Sequence, residues 1–146
     1  MLLQHAGLDI SKEVYSKVMQ PIHQAIQVTY RYSVHFTNHL FACENPLLRD
    51  VINCARDMES PKRILCVVDH GVVQHHADLL DAISTYCQYH RSLICLVCPP
   101  LVVSDGERAK NDMANVTTIQ EAIHRHGICR HSYVMAIGGG AVIDMV

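Results

Sequence analysis

Residues 133–146 read YVMAIGGGAVIDMV. Tyr133 to Ile137 is a short apolar run without alternation, which suits a strand buried on both faces. Gly138, Gly139 and Gly140 follow it directly, and a second apolar stretch carrying Asp144 comes next. Glycines after a strand let backbone N–H groups approach a phosphate closely, and a helix starting there presents its positive end. The pattern is not G-x-G-x-x-G, and it lacks the Gly-Lys-Ser/Thr of a P-loop. Three glycines after a strand are as readily a tight turn.

Working back along the chain, two more runs of the same kind appear. Leu93 to Cys98 (LICLVC) stops at Pro99-Pro100, and Ile64 to Val68 (ILCVV) ends in Asp69-His70-Gly71. Helical spacing fills the gaps. Val73, Ala77, Leu80, Ile83 and Cys87 predict one helix after the first run. Val116, Ile119 and Ile123 predict another, with Gly127 placed to end it in a left-handed cap. Asn45-Pro46 reads as a helix start, and Leu47, Leu48, Val51, Ile52 and Ala55 give that helix an apolar stripe, with Pro61 beyond its end. Ile26, Val28, Tyr30, Tyr32, Val34 and Phe36 alternate with Gln27, Thr29, Arg31, Ser33 and His35. Period two over this length predicts a half-buried strand, part of a hairpin. Residues 1–25 are a weakly patterned extension. Strands and helices in alternation predict an α/β fold, a parallel sheet flanked by helices through right-handed crossovers.

The chain has 146 residues, the size of one domain, and 49% of them are hydrophobic, enough for a core that excludes wholesale disorder. Twelve Lys and Arg against fourteen Asp and Glu leave a formal net charge of -2, so bulk charge supports neither nucleic-acid nor anionic-membrane binding. No apolar run approaches the roughly 20 residues that span a bilayer. The first residues show no basic start followed by an apolar stretch, so the expected compartment is cytoplasmic and the seven Cys are expected to be reduced.

Eleven His and seven Cys raise the question of a metal. Cys95-x-x-Cys98 has zinc-ligand spacing, but period two puts positions three apart on opposite faces of a strand. Both are read as core thiols, and Cys87 and Cys129 as structural. His75-His76 and His124/His126 lack i, i+4 spacing, and His35 ends a strand, which separates it from His39. These histidines are read as surface or satisfied polar residues. No Ser-His-Asp order appears.

Two further segments carry polar groups at strand ends, where α/β proteins bind ligands. Asp69 has the chemistry to bond a ribose hydroxyl, or to cap the helix beginning near Val72. Ser104 to Asn111 lies between a strand and a helix. There Glu107 suits a sugar diol and Lys110 a phosphate, although the stretch also reads as a solvated loop.

In this order, YRYSVHFTNHLF, ILCVVDHGV, SDGERAKND and GICRHSYVMAIGGGAVIDMV resemble the N-terminal half of the 3-dehydroquinate synthase family, the sugar phosphate cyclases. The resemblance runs from about residue 26 to the end, and the His-Phe-Thr segment is most similar to the synthase-like branch. It implies a Rossmann-like α/β domain over residues 26–146 that holds NAD. It places Asp69 at the adenosine ribose and Glu107 and Lys110, in a Gly-Glu-x-x-Lys loop, at the cofactor. Gly139, Gly140 and Ala141 would lie against the pyrophosphate, and Asp144 toward the nicotinamide and substrate. Two positions depart from the family pattern. Gly71 stands where Asn often follows the ribose Asp, and Ser104-Asp105 where Pro-Gly or Pro-Ser is common.

The implied activity is that of a carbon–oxygen lyase. NAD transiently oxidises a substrate hydroxyl, phosphate is eliminated, the ketone is reduced again, and a carbocycle closes. A divalent metal, usually zinc, polarises the oxygen being oxidised. Its Glu and two His ligands, with most substrate contacts, come from a C-terminal domain. The expectation is therefore the cofactor domain of a two-domain enzyme, with that metal and substrate domain absent and no turnover alone. Expected partners are a sugar phosphate in the full-length form and a second copy or a complementing C-terminal fragment, with no nucleic acid and no membrane. One rival reading is a non-catalytic nucleotide- or partner-binding module. Another is a relative of the iron-dependent alcohol and glycerol dehydrogenases, which share Gly-Gly-Gly-x-x-x-Asp; Gly-Glu-x-x-Lys-Asn favours the cyclases.

Overall fold

The computed structural model describes residues 23–53, 60–104 and 113–146. The chain divides into two units, Met1–His35 and Phe36–Val146. In the first, residues 23–35 form neither helix nor strand. The strand expected over residues 26–36 is therefore not present, and Ile26, Tyr30 and Tyr32 are each at least 85% exposed. Alternation specifies which face a strand would bury. It does not supply the neighbouring strand whose hydrogen bonds hold it extended.

The second unit is built on β1 (Lys62–Asp69). Ile64 to Val68 are completely buried, because the strand is paired on both edges and covered on both faces. β4 (Tyr133–Ile137) runs parallel along one edge, from Ile64 opposite Tyr133 to Val68 opposite Ile137. β2 (Ile94–Leu96) pairs with Lys62 to Ile64, and β3 (Leu101–Val103) with Val67 to Asp69, both parallel. Ile64, Val67 and Val68 already pair with β4, so β2 and β3 must share the opposite edge. They are two halves of one interrupted strand. Leu96 faces Ile64 and Leu101 faces Val67, so residues 97–100 stand opposite only Leu65 and Cys66. Val97 N still donates to Ile64 O at 3.0 Å. Pro99 and Pro100 have no N–H to give, so the strand bulges outward and resumes beyond them. From the sequence the strand ends at the prolines; β3 is what that reading lacks.

The spatial order is thus β2/β3, β1, β4. Chain order reverses beside β1, which makes the gap between the carboxyl ends of β1 and β4 the switch point of the sheet. Alternation along β1 feeds two cores. On one face Ile64, Cys66 and Val68 pack with Ile52 of α1 (Leu47–Ile52) and with Ile83, Tyr86 and Cys87 of α3 (Leu79–Tyr89). On the other, Val67 packs with Val103, with Ile119 of α4 (Met113–Arg125) and with Val142 of α5 (Gly140–Ile143).

The single helix expected from Val73 to Cys87 is two, α2 (His70–His75) and α3. His76 leaves the helical region at φ −137° and ψ 75°, and Ala77 is exposed at the joint. No glycine or proline marks the break. Val73, Leu80, Ile83 and Cys87 still share one core, so the periodicity survives it. β4 is half-buried rather than buried on both faces, because only β1 pairs with it. Ala55 of the first helical stripe lies outside the described residues.

Local signals held where local chemistry decides. α1 starts one residue later than Asn45-Pro46 suggests, with Pro46 at the N-cap, and Asn45 Oδ1 accepts from Leu47 N at 3.0 Å. Gly127 has φ 56°. Its N–H donates to His124 O at 3.2 Å and Ile128 N to Ile123 O at 3.0 Å, the paired bonds of a Schellman cap. Arg63 Nη2 donates to His126 O, tying that cap to the start of β1.

Tyr86 fastens α1 to α3. Its fully buried hydroxyl donates to Asn45 O at 2.9 Å and accepts from Arg49 N at 3.1 Å, a first-turn N–H with no partner inside its own helix. Tyr133 Oη donates to Ile52 O at 3.1 Å at the other end of α1. His90 Nε2 lies 3.0 Å from Cys43 O, with its ring 4.5 Å from that of Tyr86.

Tyr86→Phe should lower unfolding free energy by about 1–2 kcal/mol, because it strands two partly buried backbone groups; urea denaturation measures this. Stability should also fall at alkaline pH. Burial pushes Cys66 up to about 12 and Cys87 to about 11. Above the ordinary thiol value the unfolded chain loses these protons and the folded chain keeps them, so the fold weakens as pH rises. Melts from pH 7 to 11 should show the decline beginning near pH ~9, and Cys66→Val should make it shallower.

Candidate functional site

Three segments meet at the carboxyl edge of the sheet. Asp69 ends β1, with Val103 of β3 beside it in register. On the other side Val68 faces Ile137, so the next position along β4 is Gly138. The bulge at Pro99-Pro100 shifts the register by two residues, so Val103 rather than Leu101 stands level with Asp69. Ser104 therefore leaves the sheet next to Asp69. Asn115 Nδ2 donates to its Oγ and holds it against the first turn of α4. Glu107 and Lys110, expected in the loop that follows, lie outside the described residues.

Asp69 is 8% exposed. Its Oδ1 accepts from Gly71 N at 2.8 Å and caps α2. That is one of the two roles its position offers, and it leaves Oδ2 on the side of the glycine turn. A Cβ at Gly138 would stand 3.3 Å from that oxygen, 2.7 Å from Asp69 Cβ and 3.2 Å from Val142 Cβ. Only a glycine lets the two strand ends come this close. Gly139 and Gly140 differ: a Cβ on either would meet nothing within 4 Å, and both residues are exposed. Gly139 is the N-cap of α5 and has no side chain to cap it. The N–H groups of Gly140 and Ala141 have no carbonyl one turn back to bond. Val142, completely buried, fixes α5 to the core. Asp144 lies at the other end of α5, exposed, its N–H donating to Gly140 O at 2.8 Å.

The structure thus sets Asp69 against Gly138, beside the turn that carries Gly139, Gly140 and Ala141, with Asp144 at the other end of α5. Gly138, read in the sequence as part of the glycine turn but not among the cofactor contacts the resemblance implies, is the residue that allows this close approach. Register carries the signal: pairing the two strands in parallel puts the first glycine opposite the aspartate.

Among the described residues no three His, Cys, Asp or Glu side chains are placed to hold a metal. The core-thiol reading needs correction: Cys95 is exposed and Cys98 half-buried, and Cys129, read as structural, is exposed. Cys95 lies on a sheet edge, and Cys129 in the turn between α4 and β4, where its sulfur and Ser132 Oγ are 3.7 Å apart and share a hydrogen bond. No helix among the described residues is long and apolar enough to cross a membrane.

Residues 100–146, which carry β3, α4, β4 and α5, match the family described as 3-dehydroquinate synthase N-terminal. A 2-epi-5-epi-valiolone synthase from Actinomyces sp is 32% identical over 118 residues. Both comparisons support the 3-dehydroquinate synthase-like family. The alignment covers 80% of this chain and 28% of that relative, so the chain spans little more than a quarter of its length. No solved structure matches significantly. The parallel sheet with helices on both faces is the α/β architecture that the family resemblance implies.

Gly138→Ala should cost about 1–3 kcal/mol, the range for overpacking a tight contact. Gly139→Ala and Gly140→Ala should stay within about 0.5 kcal/mol of wild type, as substitutions that touch nothing do. Thermal melts of the three variants check the contrast.

Proposed function

We propose that the crevice between β1 and β4 holds NAD, and that the chain is the N-terminal, cofactor-binding part of a sugar phosphate cyclase. The observation that carries this reading is the meeting of a carboxylate with an open glycine turn at the switch point of a parallel sheet. The residues suit the dinucleotide. Asp69 keeps Oδ2 for a ribose hydroxyl while Oδ1 caps α2. Gly140 and Ala141 offer first-turn N–H groups to a pyrophosphate. Gly139 and Gly140 leave the space above them clear of side chains. In this reading Glu107 and Lys110 add contacts to the cofactor, and Asp144 faces its nicotinamide end.

NAD held there would supply a reversible hydride acceptor for the substrate. The divalent metal of the family would take its ligands, and the sugar phosphate most of its contacts, from a C-terminal domain. A second copy or a complementing C-terminal fragment is the partner proposed. The 146 residues by themselves then bind cofactor without lyase turnover.

Isothermal titration with NAD tests the reading. One site is expected. Asp69→Ala should weaken it about tenfold or more, the worth of one hydrogen bond to a charged group. Gly140→Val should abolish it with the melting temperature unchanged. A folded wild-type chain that takes up no NAD would favour the non-catalytic, partner-binding reading. Cyclase activity from these residues alone would overturn the assignment of chemistry to another domain.

A further inference from the structure

The carboxyl edge of the sheet carries a polar pair that the cofactor contacts leave unused. Ser104 is half-buried and follows Val103, the register partner of Asp69. Neighbouring strands lie about 4.8 Å apart, so the two chains leave the sheet side by side. Asn115 Nδ2 donates to Ser104 Oγ. Asn115 stands in the first turn of α4, and Ile119 of the same helix packs with Val67, Val103 and Val142. Asp69 lies two positions beyond Val67 and so shares that face of the sheet. The glycine turn closes on it there: a Cβ at Gly138 would meet both Asp69 and Val142. Asn115 therefore draws the serine hydroxyl to the side of the sheet that holds the crevice. Along that edge the order is Ser104, Asp69, Gly138.

A count of donors and acceptors decides what the pair can do. A hydroxyl oxygen has two acceptor sites and one proton. The Asn115 amide takes one acceptor site and leaves the proton to give. Asp69 Oδ1 is taken by Gly71 N, and Oδ2, a carboxylate oxygen, can only accept. A donor beside an acceptor matches a vicinal diol, in which one hydroxyl accepts while its neighbour donates. We propose that Ser104, positioned by Asn115, is a further cofactor contact that clasps the adenosine ribose diol of NAD together with Asp69. The proposal rests on the NAD reading of the crevice. With the pyrophosphate over Gly139 to Ala141, on the β4 side of Asp69, the adenosine end extends toward β3, where Ser104 stands. Ser104 touches the ligand, and Asn115 acts only through Ser104.

Isothermal titration of the 146-residue chain with NAD, ADP and 2′,3′-dideoxy-ADP tests this, with thermal melts as the check on folding. Ser104→Ala should weaken NAD and ADP about two- to tenfold, the worth of one hydrogen bond. It should leave the affinity for the dideoxy nucleotide, which has no diol, unchanged. Ser104→Thr keeps the hydroxyl and should restore NAD affinity. Asn115→Ala should weaken NAD by itself and add nothing to Ser104→Ala, whereas independent losses would overturn the positioning role. Equal NAD affinity in Ser104→Ala and wild type would overturn the proposal and leave the crevice reading standing. An equal loss for the dideoxy nucleotide would overturn the diol contact. A folded wild-type chain that takes up neither NAD nor ADP would overturn the crevice reading, and this proposal with it.

Discussion

The contact between the ends of β1 and β4 governs the rest of the molecule. The two strands pair without interruption from Ile64 opposite Tyr133 to Val68 opposite Ile137. The next step sets Asp69 against Gly138, at a separation that no side chain on residue 138 would permit. Because the backbones close there, Val142 reaches the second core, where burying a valine is worth about 1.5–3 kcal/mol. Because Asp69 stays beneath the turn, one of its oxygens caps α2 while the other faces the glycines. A single carboxylate thereby belongs both to the scaffold and to the crevice.

The opposite edge of the sheet follows a different constraint. Pro99 and Pro100 remove two ladder donors in succession. The strand breaks and resumes, and the resumed segment brings Val103 level with Asp69. The two-residue shift that the prolines impose is what sets Ser104, rather than Val102, just beyond Asp69.

What the sequence revealed, and what it hid, divides along the same line. Ile64 to Val68 announced a doubly covered strand because every position had to be apolar. Asn45 and Gly127 announced helix ends because a cap is made within a few residues of itself. The glycine turn and Asp69 were legible as separate candidates, but their contact depends on register, which a lone strand does not carry. The alternation of Ile26 to Phe36 named a buried face without naming what would bury it, and no strand formed. The break at His76 carries no glycine or proline, and the apolar spacing runs through it unchanged. Cys95 and Cys98 were assigned to opposite faces by a period that the prolines interrupt.

Amide hydrogen exchange with and without NAD tests the central claim most directly. It reads the backbone groups that the account assigns to the pyrophosphate. NAD should slow exchange at Gly139, Gly140 and Ala141, and leave Gly127 and Ile128, at the far end of α4, unchanged. Protection that appears elsewhere and spares the glycine turn would contradict the account.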